Sequence, residues 1–102
     1  MSLVLILPDA KRVSVGGILY IGRRGGDNDL VIPNDGISDY HAQILNLGGD
    51  YVIWSREKDA VTRVNGNKCG LVGTPKGLEI GPGDTITLGR DYEIAVGVEE
   101  GK

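Results

Sequence analysis

The chain has 102 residues, of which 40% are hydrophobic and 25% charged, a composition typical of one globular domain. Its net charge of -3 argues against the positive surface that binds nucleic acid, so no nucleic-acid partner is expected. No apolar run is long enough to cross a bilayer, so membrane insertion is not expected either. Residues 1–7 lack the basic start and small-residue cleavage site of a leader, and we interpret them as a first strand.

Cysteine and histidine usage excludes several kinds of site. One cysteine, Cys69, rules out an internal disulfide, and one cysteine with one histidine lacks the ligands of a structural metal site. We therefore predict no metal and no cofactor, and a small buried or half-exposed thiol at Cys69. A chain without disulfides is compatible with a reducing compartment, and we predict a cytoplasmic location.

Short runs of apolar or alternating residues, separated by turn residues, predict strands along the whole chain. Gly48-Gly49 and Asn65-Gly66 are typical hairpin turns. The 17 glycines favour turns over helices. The pattern predicts an all-β antiparallel sandwich or barrel of about ten or eleven strands, in a domain spanning 1–98 with a loose tail at 99–102. The predicted runs, in chain order, are 3–7, 12–15, 18–21, 30–32, 41–47, 51–54, 62–64, 67–69, 78–80, 85–88 and 92–98.

Two loops carry the residues that suggest a function. Arg23 and Arg24 follow a predicted strand and enter a glycine-rich loop, and Ser38 and His41 stand three positions apart just before the next apolar run. A guanidinium and a hydroxyl on neighbouring loops are suited to hold a phosphate on a partner. The alternatives are a solvated arginine and a serine that bonds its own backbone in a turn.

Several segments, taken together, resemble the forkhead-associated (FHA) domain of the SMAD/FHA fold type. They follow the order of that family and span nearly the whole chain. The segments are Ile21-Gly22-Arg23, Asn28-Asp29-Leu30-Val31-Ile32, Ile37-Ser38-Asp39-Tyr40-His41-Ala42, Val64-Asn65-Gly66 and the spaced pattern Leu78, Gly81, Gly83-Asp84, Ile86, Leu88-Gly89.

The resemblance implies an eleven-stranded, mostly antiparallel β-sandwich that binds phosphothreonine peptides through loops at one end. By the same resemblance Arg23 and Ser38 hold the phosphate. Additional candidates for peptide binding are Arg24, Asp39 and Arg63. Residues expected to support the binding loops structurally are Gly22, His41, Asn65 and Gly66.

The chain departs from the family pattern at two positions. Asp39 stands where binding members commonly have Arg or Asn, and a carboxylate near a phosphate is repulsive by about 1 to 4 kcal/mol at surface-like dielectrics. Ala60 aligns with an Asn that clamps the peptide backbone in the family, and its side chain cannot form those hydrogen bonds.

Two functions follow from these observations. The first is a signalling or regulatory module that docks phosphothreonine-containing proteins. The second is a degenerate FHA domain that recruits an unphosphorylated protein, for example in a secretion or signalling complex. We do not expect an enzyme, because the sequence has no paired-carboxylate motif, nucleophile elbow, metal-ligand cluster or P-loop.

Overall fold

Eleven short strands make up the regular structure of the protein in a computed structural model that describes residues 2–99. Within this range no helical segment has the length and apolarity needed to traverse a membrane. The strands are β1 (Ser2–Ile6), β2 (Arg12–Ser14), β3 (Ile18–Gly22), β4 (Leu30–Val31), β5 (Ala42–Leu47), β6 (Asp50–Ser55), β7 (Thr62–Val64), β8 (Asn67–Lys68), β9 (Leu78–Ile80), β10 (Thr85–Leu88) and β11 (Tyr92–Glu99).

The strands pair into two sheets. One sheet has six strands in the order β2-β1-β11-β10-β7-β8, and the other has five in the order β4-β3-β5-β6-β9. Every pairing between these strands is antiparallel except that of β3 with β4. The predicted hairpin at Gly48-Gly49 is present, and both glycines have the positive φ that its tight turn requires, 70° and 106°.

A core of aliphatic side chains joins the two sheets. Strand residues alternate between faces, so every second residue of the central strands points inward. Ile44 and Ile53 of the five-stranded sheet are fully buried, as are Leu5, Ile86 and Ile94 of the six-stranded sheet. Burying one such side chain contributes about 1.5 to 3 kcal/mol, which makes this core the main source of stability.

The connections between strands collect at two opposite ends. Ala42 pairs with Ile21 and with Ser55, so the connections 23–29, 32–41 and 56–61 leave the five-stranded sheet at the same end. The connection 89–91 joins them through a hydrogen bond from the Gly89 N–H to the Val61 carbonyl, 2.8 Å long. We call this the loop end. The opposite side, with the turns 48–49, 65–66 and 81–84, is the turn end.

The sequence predictions agree with these strands to within one or two residues. β11 runs through Glu99, where the tail was expected to begin, and the remaining tail residues lie outside the described range. Cys69 is buried, and its burial raises the pKa of the thiol. Trp54 is a half-buried residue on the outer sheet face, where its indole N–H donates to the Thr74 carbonyl at 3.0 Å.

Candidate functional site

Arg23 and Ser38 lie side by side at the loop end. Arg23 directly follows β3, and its backbone N–H donates to the carbonyl of Ser38 at 2.9 Å. Both residues line one open concavity of about 410 Å³. The Arg23 side chain is 48% exposed and Ser38 is half-buried, so a cation and a hydroxyl face the same solvent-accessible space. Their contact with a phosphate stays a prediction.

Gly22 allows the two loops to approach each other. It is buried at the end of β3, and a Cβ at this position would collide with the carbonyl oxygen of Asp39 and the side-chain amide of Asn28. The Asp39 carbonyl is part of the backbone, so it cannot move aside as the end of a flexible side chain could. The close packing of Arg23 on Ser38 therefore depends on the missing side chain at position 22.

The buried side chain of His41, 1% exposed, joins the 32–41 connection to the 56–61 connection. Its Nδ1 accepts a hydrogen bond from the Ser38 backbone N–H at 3.0 Å, and its Nε2 lies 2.8 Å from the Val61 carbonyl. An N–H can only donate and a carbonyl can only accept, so these partners assign the neutral tautomer with the proton on Nε2. Burial lowers the pKa of His41, with smaller opposing contributions from the Val61 hydrogen bond and from Glu57.

The Val61 carbonyl receives two hydrogen bonds. One comes from His41 Nε2 at 2.8 Å and the other from the Gly89 backbone N–H at 2.8 Å. Position 89 also approaches the 32–41 connection closely, because a Cβ there would collide with the Gly36 carbonyl oxygen, and its φ is +67°. The loops of the five-stranded sheet are thus fastened to the β10–β11 connection of the other sheet.

Asn28 and Arg56 form a second brace that the sequence did not reveal. Asn28 Nδ2 donates to the carbonyls of Arg24 at 2.8 Å and Asp39 at 2.9 Å. These carbonyls belong to the residues that directly follow Arg23 and Ser38. Arg56 Nη1 in turn donates to Asn28 Oδ1 at 2.7 Å. One amide side chain therefore sets the spacing of the two loops that carry the predicted phosphate contacts.

Arg56 is itself held by aromatic rings. Its guanidinium carbon lies 4.7 Å from the ring centroid of Tyr20 and 5.0 Å from that of Tyr40. Such cation–π contacts favour a planar guanidinium stacked on the ring. The partners lie far apart in the chain, and neither spacing nor periodicity links them. The only sequence signal for this brace is weak: Arg56 comes shortly after a predicted strand.

Arg24 lies outside the concavity. Its Nε is 3.9 Å from Asp27 Oδ2, and its guanidinium carbon is 6.0 Å from the Tyr40 ring centroid. The Tyr40 hydroxyl donates to Asp27 at 3.0 Å, and this hydrogen bond is the main cause of the raised pKa of Tyr40. The structure thus places Arg24 in a surface cluster beside the site.

Arg63 lines a neighbouring concavity, which also contains Arg90, Asp59 and Asp91. The two concavities share Gly36 and Asp59 as lining residues, so Arg63 is near the Arg23 concavity without being one of its lining residues. An additional role for Arg63 or Arg24 in peptide binding stays a prediction.

Carboxylates outnumber cations in the Arg23 concavity. Asp35, Asp39, Glu57 and Asp59 line it together with Arg23. Arg23 Nη2 lies 3.4 Å from Asp35 Oδ1, and the Asp35 side chain is fully exposed. An exposed ion pair of this kind contributes about 0 to 1 kcal/mol, so a dianionic ligand can displace Asp35 from Arg23.

Ala60 is buried, at 2% exposure, in a turn where its N–H donates to the Glu57 carbonyl at 3.0 Å. Its methyl group packs inside the domain and presents no polar group at the loop end. This position therefore provides no side-chain hydrogen bond to a peptide.

Asn65 and Gly66 differ from the prediction that they support the binding loops. Their turn joins β7 to β8 at the turn end, with φ values of 52° and 88°. Asn65 Nδ2 donates to Asp84 Oδ1 at 2.9 Å, and its Oδ1 accepts from the Thr85 N–H at 3.0 Å. The strand that precedes them carries the chain away from the loop end, so Asn65 braces the β9–β10 turn instead.

The fold and the loops define a class of protein: a β-sandwich domain that presents an arginine and a serine from adjacent loops at one end. The FHA domain family model matches residues 19–89. The chain belongs to the FHA domain family. Among curated proteins, no sequence match was found.

Solved structures show the same fold. An FHA domain whose interactions depend on phosphothreonine is 25% identical, with a TM-score of 0.82 over 98% of this chain and 99% of that chain. The FHA domain of a hypothetical protein from Arabidopsis thaliana is 28% identical, with a TM-score of 0.83 over 99% and 88% of the two chains. The N-terminal FHA domain of Rad53p from S. cerevisiae, solved with a phosphothreonine peptide, is 17% identical, with a TM-score of 0.76 over 97% and 94% of the chains.

Proposed function

We propose that this domain docks phosphothreonine-containing proteins at its loop end, with Arg23 and Ser38 as the phosphate contacts. The observation that carries the proposal is the hydrogen bond between the backbones of these two residues, which places their side chains in one solvent-accessible concavity. The relative at 25% identity, whose interactions depend on phosphothreonine, supports it.

The chemistry of the two side chains suits this role. The guanidinium of Arg23 is always charged and offers a planar fork of donors that matches phosphate oxygens. The hydroxyl of Ser38 can donate to a further oxygen. His41 holds the Ser38 N–H, and Asn28 holds the carbonyls of Arg24 and Asp39, so the backbones that carry Arg23 and Ser38 are fixed before the ligand arrives.

The proposed activity is binding rather than catalysis, in a signalling or regulatory setting. A cytoplasmic location belongs to the same proposal, because kinases that phosphorylate threonine need ATP and because Cys69 is a free, buried thiol.

Paired peptides test the proposal. A degenerate phosphothreonine library and its unphosphorylated twin are titrated against the domain. We expect the phosphorylated pool to bind more tightly, and Arg23→Ala to weaken that binding about tenfold to a hundredfold, the value of a hydrogen bond to a charged group. Arg12→Ala, an exposed arginine on β2, is the matched control. Equal binding of both pools would overturn the proposal.

A second candidate function is recruitment of an unphosphorylated partner, and two observations favour it. The ion pair with Asp35 already occupies Arg23, and the buried Ala60 offers no polar contact to a peptide. Pull-down from a phosphatase-treated lysate tests this function. A partner retained by the wild type and by Arg23→Ala alike would support it, whereas loss of every partner on phosphatase treatment would exclude it.

A further inference from the structure

Four carboxylates line the Arg23 concavity, in which the phosphate is predicted to bind. Asp39 follows Ser38 directly, whereas Glu57 and Asp59 come from the 56–61 connection. All three are exposed. Within residues 2–99 none of the three takes part in a salt bridge, unlike Asp35, which pairs with Arg23. Their negative charge is therefore directed at whatever enters the concavity.

The neighbouring concavity offsets only part of this charge. Its two arginines, Arg63 and Arg90, stand with two aspartates, Asp59 and Asp91. Asp59 lines both concavities, so the two together carry three arginines and five carboxylates, whereas the Arg23 concavity alone has one cation and four carboxylates. The excess of negative charge is thus local to the predicted phosphate position.

The charge reaches the residues on either side of a bound phosphothreonine. An extended peptide advances about 3.3 Å per residue, so side chains two or three positions away lie roughly 7 to 10 Å from the phosphothreonine. Charges act over about 8 Å at physiological ionic strength. Flanking residues within three positions of a phosphate held by Arg23 therefore lie within the electrostatic range of Asp39, Glu57 and Asp59.

We propose that this domain selects phosphothreonine peptides that carry lysine or arginine within three positions of the phosphothreonine, with Asp39, Glu57 and Asp59 as the residues that determine this preference. The inference rests on the proposed docking of phosphothreonine and specifies the class of partner. Acidic flanking residues are rejected by the same side chains, because like charges are brought together as the peptide binds.

Three panels of phosphopeptides of equal length test this preference, with basic, neutral or acidic flanking residues and an unphosphorylated twin for each. Fluorescence anisotropy is measured at low and high salt. Each exposed charge pair changes affinity by about threefold, so we expect basic peptides to bind about tenfold more tightly than acidic ones. We expect most of this difference to disappear at about 1 M salt, where the screening length is about 3 Å.

The double variant Glu57→Gln/Asp59→Asn keeps the size of both side chains and removes two charges. We expect it to reduce the preference for basic peptides while leaving the difference between phosphorylated and unphosphorylated twins intact. Asp50→Asn/Glu79→Gln removes the same charge from exposed positions at the turn end and is the matched control. The control should retain the full preference.

The outcomes separate the inference from the function on which it rests. Phosphopeptides that bind better than their twins, but equally well with any flanking charge, would overturn the inference and leave the proposed function standing. Phosphorylated and unphosphorylated basic peptides that bind equally would overturn the proposed function, and the inference with it.

Discussion

Asn28 and Arg56, 28 positions apart in the chain, meet through a 2.7 Å hydrogen bond that holds the loop end together. The side-chain amide of Asn28 donates to the carbonyls of Arg24 and Asp39, and Arg56 stacks on two tyrosine rings. The predicted phosphate contacts thus depend on side chains that do not themselves line the concavity.

Asn28→Ala should weaken phosphopeptide binding and the stability of the fold by similar amounts. The variant loses the amide that spaces the Arg23 and Ser38 loops, but all contacts of the core remain. We expect a loss of about 1 kcal/mol in the free energy of unfolding. Affinity should fall about fivefold to tenfold, measured by calorimetry beside urea unfolding. Asn67→Ala, on exposed β8, is the control, and a similar loss of affinity there would contradict the assignment.

Gly22→Ala should destabilise the domain. Its methyl group would collide with the backbone of Asp39, and forcing atoms into a filled space costs about 1 to 3 kcal/mol. Gly25→Ala is the matched control because nothing lies within 4 Å of a Cβ there. We expect the free energy of unfolding of this control to stay within about 0.5 kcal/mol of the wild-type value. Equal stability of the two variants would show that the loops separate easily.

His41 should make stability depend on pH. Burial holds its folded pKa below the ordinary value of 6.5, so the unfolded chain binds a proton first as the pH falls. The stabilising contribution is therefore complete above about pH 6.5 and is lost as the pH falls towards the folded pKa. Urea unfolding at pH 7.5 and 5.5 measures this loss.

The variant His41→Gln cannot titrate, so its unfolding midpoint should change less between these two pH values. A wild-type unfolding midpoint that rises as the pH falls would contradict the predicted loss of stability at low pH.

Asp39→Arg should strengthen the binding of phosphopeptides whose flanking residues are uncharged. The side chain of Asp39 is exposed in the concavity, while its carbonyl, which Asn28 uses, is unaffected by the substitution. Replacing a repulsive charge with an attractive one should increase affinity about tenfold or more. Asp50→Arg at the turn end makes the same change of charge at a distance. A gain in both variants would indicate a nonspecific charge effect, and no gain in either would show that Asp39 does not face the phosphate.

Much of the fold could be predicted from the sequence because its signals are local. The alternation in Tyr92–Glu99 and the Gly48-Gly49 turn each require a particular backbone, and the structure contains both. The contacts of Asn65 could not be predicted, since they depend on where a three-residue strand places its end. The brace of Arg56 was missed for the same reason, because it joins loops whose approach is set only once both sheets have packed.

The shared Val61 carbonyl has a consequence for motion. His41 and Gly89 approach it from different sheets, so one peptide unit serves as a common anchor for both. Among residues 2–99, no strand residue of the six-stranded sheet lines the Arg23 concavity. That sheet nevertheless restrains the loops of the loop end, because its β10–β11 connection is bonded to Val61. Local opening at Val61 would therefore release the β10–β11 connection and the Ser38 loop as one cooperative unit.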